Sequence, residues 1–218
     1  VDGMGTIVKN GGRVMKNVTG YDLVKLMAGS YGTLGVMTEL SFKLLPKPEA
    51  TASIKLHGLS DEDGIAALCK ALGSPNDVNG AAHLNNETLI RIEGFSGSVE
   101  FRIEALKKLF PNFEISVETN SEKNKEIWNS IGNVSVFSKT TTSIWRLSVK
   151  PTSGPKIMDT LLKAGIKADA QYDWGGGLVY LSVPENIDIR NHLSNIQGHI
   201  TLVRGNGGGA DAMPVQNS

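Results

Sequence analysis

Thr51-Ala52-Ser53-Ile54-Lys55-Leu56-His57 reads as a strand, and the run of elements after it sets the fold class. Ser60 and Asp63 have the spacing of a helix cap, and Ile65, Leu68, Cys69 and Leu72 then fall on one apolar face, stopped by Gly73. Strand-like runs come next, near 78–84 and 88–94. A helix near 98–110 uses Val99, Ile103, Leu106 and Phe110, and a strand near 113–118 ends the series. The order is β-α-β-β-α-β, a split βαβ unit. A bridging helix over 121–131 carries Trp128. The order then recurs: strand 144–149, helix 154–164, strands 167–173 and 178–183, helix 186–196, strand 199–203. The expected class is α+β, with two ferredoxin-like units (about 51–118 and 144–203) in one largely antiparallel sheet.

Residues 1–46 form a different block. Thr19 with Asp22 fits a capping box. Leu23, Leu26 and Met27 give a short helix one apolar face, and Gly29 fits its stop. A strand is expected from Leu34, with Val36, Thr38, Leu40, Phe42 and Leu44 on one face. Pro46 and Pro48 end it, so the boundary falls at 46/47. The chain opens on Val1 within what reads as a strand and turn, so it is expected to be a piece of a longer protein.

Composition narrows the function. The 218 residues are 40 % hydrophobic, and no apolar run approaches a membrane span of roughly 20 residues. Lys+Arg and Asp+Glu are both 22, which argues against binding nucleic acid or an anionic membrane by bulk charge. The lone Cys69, on the apolar helix face, excludes a disulfide framework and is expected to be inert. His57, His83, His192 and His199 sit at no metal-ligand spacing, so no metal is expected. RNA binding by the paired units would need exposed aromatics on central strands, where only Tyr180 is available.

The densest signal is Gly29-Ser30-Tyr31-Gly32-Thr33-Leu34-Gly35. Glycines at every third position let a flat or anionic ligand approach the main chain. A helix stop and a β-turn explain the same spacing. Arg146, mid-strand in an apolar run, is a carboxylate anchor or, more simply, half of an inter-element ion pair. Asp173-Trp174-Gly175-Gly176-Gly177 is a hairpin turn or a loop reaching a site, and Trp128 and Trp145 read as core anchors. Gly205-Asn206-Gly207-Gly208-Gly209 reads as a tail.

Gly12-Arg13-Val14-Met15-Lys16-Asn17-Val18-Thr19-Gly20-Tyr21-Asp22-Leu23, then residues 29–35 and Val36-Met37-Thr38-Glu39, resemble the FAD-binding domain of the vanillyl-alcohol-oxidase (PCMH-type) flavoproteins. Within that family they resemble the FAD-binding subunits of glycolate oxidases. Weaker echoes at 144–149, 173–177 and 201–204 extend the likeness over the whole chain, as the C-terminal part of such a subunit. The resemblance implies that 1–46 is a remnant of the FAD-binding domain and 47–218 a cap domain over the substrate side. It implies that Gly29, Ser30, Gly32, Thr33, Leu34, Gly35, Val36, Met37 and Thr38 line the flavin, largely through the backbone. Tyr31 stands where many relatives have Glu. The implied function is an FAD-dependent oxidoreductase acting on the CH–OH group of a small 2-hydroxy acid, glycolate foremost, with hydride passing to the flavin. Implied partners are a second flavin subunit and an iron–sulfur subunit. The implied location is the cytoplasm, with membrane association only through partners. The family's pyrophosphate loop is absent from this stretch. The chain alone is therefore expected to hold no FAD, to be inactive, and to dimerise through exposed apolar groups of 1–46. The competing reading is a non-catalytic interaction or regulatory module built on the paired units.

Overall fold

The computed structural model describes residues 1–13 and 20–205. Thr19 and most of the glycine-rich tail therefore lie outside the described residues. Eight strands form one sheet in the order β4-β1-β3-β2-β6-β7-β5-β8, and every neighbouring pair whose register is defined is antiparallel. They are β1 (Ala50–His57), β2 (Gly80–Leu84), β3 (Glu87–Gly94), β4 (Ile115–Glu118), β5 (Ser143–Val149), β6 (Asp169–Asp173), β7 (Leu178–Val183) and β8 (Gly198–Arg204). Each half of the sheet has the same internal order: its fourth strand outermost, then its first, third and second. The two second strands, β2 and β6, meet in the middle.

Among the described residues there are five α-helices: α1 (Leu23–Met27), ahead of the first strand in the chain, and α2 (Asp61–Leu72), α3 (Ser96–Leu109), α4 (Ser121–Gly132) and α5 (Gly154–Lys163), which accompany the sheet. Ser60 caps α2 as its spacing predicts, its hydroxyl accepting from the Asp63 N–H at 3.1 Å. Val99, Ile103, Leu106 and Phe110 are all buried, as expected. Asn85 and Asn86 both take positive φ, the turn that matches strand twist in a two-residue hairpin between β2 and β3.

One face of the sheet carries the main core. Ile54, Leu56, Ile90, Ile92, Leu147, Val179 and Leu181 from the strands pack with Ile65, Leu68, Leu106, Ile157 and Leu161 from the helices. On the other face α4 packs over the first half around Ala82, Leu89 and Ile131. There Trp128 donates to the Ser53 hydroxyl at 2.8 Å, and Ser53 donates to Asn124, a residue whose amide also bonds the carbonyls of Glu118 and Asn120. Trp145 is a core anchor, and Trp128 is a half-buried one.

Three expectations are corrected. No helix forms over 186–196; the segment holds a single 3-10 turn, Ile189–Asn191. Asn186 takes φ +65 and breaks helical geometry, and Asp188 uses its carboxylate on the N–H and guanidinium of Arg190 rather than on a helix start. Ile189 and Leu193 still reach the core, so the helix-like spacing reports burial. No strand forms over 34–44. Among the described residues their backbone has no pairing partner except at Val36, whose N–H and C=O bond the C=O and N-terminus of Val1, both at 2.8 Å. The α2 face is also rotated: Gly64, Ile65, Ala67, Leu68 and Ala71 are buried, whereas Cys69 and Leu72 are exposed.

The chain divides into two units, Val1–Lys47 and Pro48–Ser218. In the first, α1 is capped by Asp22, and none of the described residues is buried. The second holds the sheet. Its two halves pair directly only at His83↔Tyr172 and Leu84↔Gln171. A buried network reinforces that seam. Tyr172 donates to Asp61 Oδ2 at 2.7 Å, His83 Nδ1 meets the Thr88 hydroxyl at 2.8 Å, and His83 Nε2 lies 3.3 Å from Asp61 Oδ1. That last contact is off the line of a good hydrogen bond, so its attraction is mainly electrostatic. Gly64 makes room for the ring: a Cβ there would collide with the His83 imidazole.

The seam makes two testable demands. Gly64→Ala should lower stability by about 1–3 kcal/mol through overpacking against the imidazole; an unchanged urea midpoint would show that the ring can move aside. Burial pushes the Asp61 carboxyl up, but the His83 contact and the Tyr172 hydrogen bond outweigh it and hold it below the ordinary value. A carboxyl depressed in the folded state contributes stability that is complete above the unfolded value of about 3.9 and is lost as pH falls through the native one. Acid titration of unfolding should therefore be shallower below about pH 4 in Asp61→Asn than in the native chain, and equal slopes would remove Asp61 from that role.

Candidate functional site

The glycine-rich segment of the first unit is a succession of left-handed turns. Gly29, Tyr31 and Gly32 have φ of +82, +54 and +78. Gly29 comes directly after the cap of α1, as expected of a helix stop. Ser30 anchors the loop: its N–H reaches the Met27 carbonyl at 3.2 Å, and its carbonyl accepts from the Thr33 N–H at 3.0 Å and the Thr33 hydroxyl at 2.6 Å. The N–H groups of Tyr31, Gly32, Leu34 and Gly35 make no hydrogen bond among the described residues. Around Gly29 and Gly32 the space where a Cβ would stand is empty to 4 Å. Gly35 differs. A Cβ there would lie 2.5 Å from the Val1 carbonyl oxygen, so the close approach of two main chains already accounts for this glycine. Leu34, Val36 and Met37 stay exposed beside the loop.

In the second unit the glycine run 173–177 is a hairpin connection between β6 and β7. Asp173 accepts from the Trp174 N–H at 2.7 Å, and a 3-10 turn spans Trp174–Gly176. Side chains at Gly175 and Gly176 would collide with Leu72 and Ile65 of α2, so these glycines let the hairpin press on the helix. Arg146 forms no ion pair among the described residues, contrary to the simpler expectation; its contact is with the Trp174 ring, 5.6 Å from the centroid.

An open cleft of about 370 Å³ lies beside the seam, lined by Asp61, Asn85, Asn86, Phe137, Met158 and Asp169 among others. Two carboxylates make it a poor receptor for an acid. Sequence reasoning missed both this cleft and the Asp61–His83–Tyr172 network. Their residues are 111 positions apart at the extreme, and nothing local announces the meeting. Among the described residues no group of three or more His, Cys, Asp or Glu could hold a metal, and no helix is long and apolar enough to cross a membrane.

No protein-family model matches the chain. Individual proteins do. Glycolate oxidase subunit GlcE of Escherichia coli is 33 % identical over 211 residues, which is 96 % of this chain and 54 % of GlcE. Glycolate oxidase subunit GlcD of Bacillus subtilis is 50 % identical over 50 residues, 23 % of this chain and 11 % of GlcD. An uncharacterized FAD-linked oxidoreductase of Mycobacterium tuberculosis is 41 % identical over 70 residues, 32 % of this chain and 15 % of that protein. The chain thus spans about half the length of GlcE, and the proteins it is similar to are FAD-linked oxidoreductases, glycolate oxidase subunits among them.

Proposed function

We propose that the chain is part of an FAD-dependent 2-hydroxy-acid oxidoreductase subunit, and that Gly29, Ser30, Gly32, Thr33, Leu34, Gly35, Val36, Met37 and Thr38 form one wall of its flavin site. The observation that carries this reading is the row of N–H groups at Tyr31, Gly32, Leu34 and Gly35 that are unpaired among the described residues, next to an empty approach over Gly29 and Gly32. Such clustered main-chain donors suit the carbonyl oxygens of an isoalloxazine or an anionic group. Bound FAD would supply the acceptor for the two electrons leaving the substrate's CH–OH carbon. This chain's part is to orient the ring edge through those amides and to shield it with Leu34, Val36 and Met37.

On the same reading, 1–46 is the end of a PCMH-type FAD-binding domain. Residues 47–218 are then a cap domain whose two four-strand sets are ferredoxin-like units, and the substrate is glycolate or a near relative. The partners are a second flavin subunit and an iron–sulfur subunit, and the location is cytoplasmic, with any membrane contact made through those partners. The match to GlcE over 96 % of the chain supports this.

Gly32 is the informative position, because Gly35 is already required by its contact with Val1. In the longer gene product that we propose contains this chain, Gly32→Val should at least halve the flavin-to-protein ratio after purification. The strain of a side chain at positive φ would cost about 1–3 kcal/mol locally. An unchanged ratio with the fold retained would return the loop to a helix stop and turn. The 218-residue chain alone should purify colourless and, with Phe42, Leu44 and Leu45 exposed, associate into dimers. A yellow monomer with stoichiometric flavin would place the diphosphate site within these residues and defeat the assignment of 47–218.

A further inference from the structure

The second half of the sheet has a face that the main core does not use. Trp145, Leu147 and Val149 of β5, Val179 and Leu181 of β7, and Ile200 and Leu202 of β8 all point into the core. Alternation then sends Arg146, Tyr180 and Thr201 to the other side. Arg146 is directly opposite Tyr180 on one neighbouring strand and Thr201 on the other, so the three form a row across three strands. All three are half-buried. None of their side chains makes a hydrogen bond or an ion pair among the described residues.

A half-buried guanidinium without a carboxylate is uncommon, since its donors are costly to leave unmet. Trp174 accounts for only part of the environment. Its ring lies against the guanidinium and is itself 60 % exposed, and its backbone is held at φ +51, which a bulky residue seldom adopts. The ring accepts no N–H···O hydrogen bond from the guanidinium, whose fork of five N–H donors has no oxygen partner among the described residues. The residues opposite Arg146 on its two neighbouring strands, Tyr180 and Thr201, each carry a hydroxyl group. The set offers a single positive charge, a planar two-point donor and neutral donors on either side. A small carboxylate matches it, because both of its oxygens can accept in the plane of the fork.

We propose that the row Tyr180–Arg146–Thr201, with Trp174 as its wall, binds the carboxylate of a small 2-hydroxy acid. The identity of the acid rests on the proposed oxidoreductase function; the carboxylate recognition does not. Arg146 sets specificity for an acid over its neutral analogue, and the acidic cleft at the seam repels the same ligand.

Titration of the 218-residue chain with glycolate and D-lactate, monitored by tryptophan fluorescence and calorimetry, tests this without any flavin. A saturable change is expected with both acids and none with glycolamide. Arg146→Gln should weaken binding by about tenfold or more, as loss of a charged hydrogen-bonding group does, while its circular dichroism and thermal midpoint stay near those of the native chain. Tyr180→Phe, which removes only a hydroxyl group, should weaken it several-fold and serves if Arg146→Gln fails to fold. Trp174→Phe should abolish the fluorescence change while calorimetric binding remains. No saturable response to either acid, equal binding of glycolamide, or unaltered affinity in Arg146→Gln and Tyr180→Phe would overturn the proposal. If the longer product lacks flavin yet this titration succeeds, the oxidoreductase function fails and the carboxylate site stands.

Discussion

Two residue pairs hold the halves of an eight-stranded sheet together. Between β2 and β6 the direct ladder is only His83↔Tyr172 and Leu84↔Gln171, far shorter than the eight-pair ladder between β1 and β3. So short a seam would be a weak point if the backbone alone carried it. It is reinforced from the core side, where Tyr172 and His83 both turn toward Asp61 at the start of α2. The carboxylate in turn lies where the positive end of a helix favours it. One helix from the first half is thereby fastened to a strand of the second, and Leu72 and Ile65 of α2 also take the space that side chains at Gly175 and Gly176 of the hairpin would need. The continuity of the core across both halves depends on this joint.

The sheet has unlike faces, and the difference organises the chemistry. The core face carries one apolar cluster from β4 to β8, interrupted at the seam by the Asp61–His83–Tyr172 network. The other face is covered by α4 only over the first half, where Asn124 and Trp128 satisfy the buried Ser53. Over the second half it keeps Arg146, Tyr180 and Thr201 half-open. A duplicated order of elements has therefore been put to different use in each copy. The copy whose last helix is reduced to one 3-10 turn is also the one whose polar face remains available.

The first unit obeys another constraint. It buries nothing among its described residues, and its alternating apolar positions from Val36 to Leu44 find no partner strand there. What holds it locally is the reciprocal pair between Val1 and Val36 and the Ser30-centred turn. A segment of this composition gains stability only when another surface covers its apolar groups. That agrees with a chain spanning about half of GlcE.

Short-range signals were enough for the α+β class, for the order along the chain of the eight strands and of the helices before 186, and for the resemblance to FAD-linked oxidoreductases. Ser60 caps α2 through a residue three places on, Phe110 comes after Val99, Ile103 and Leu106 at helical spacing, and the 12–39 motif is nearly continuous. The glycine run 29–35 announced its left-handed turns for the same reason. The expected strand over 34–44 and helix over 186–196 failed because alternation and helical spacing report which residues seek burial, and hydrogen-bond partners decide the conformation. That Gly35 serves Val1, that Gly64 serves His83, and that Arg146 meets an indole rather than an acid became visible only once the chain was folded. Each of these depends on atoms brought together from distant parts of the chain, and no local pattern encodes the distance between them.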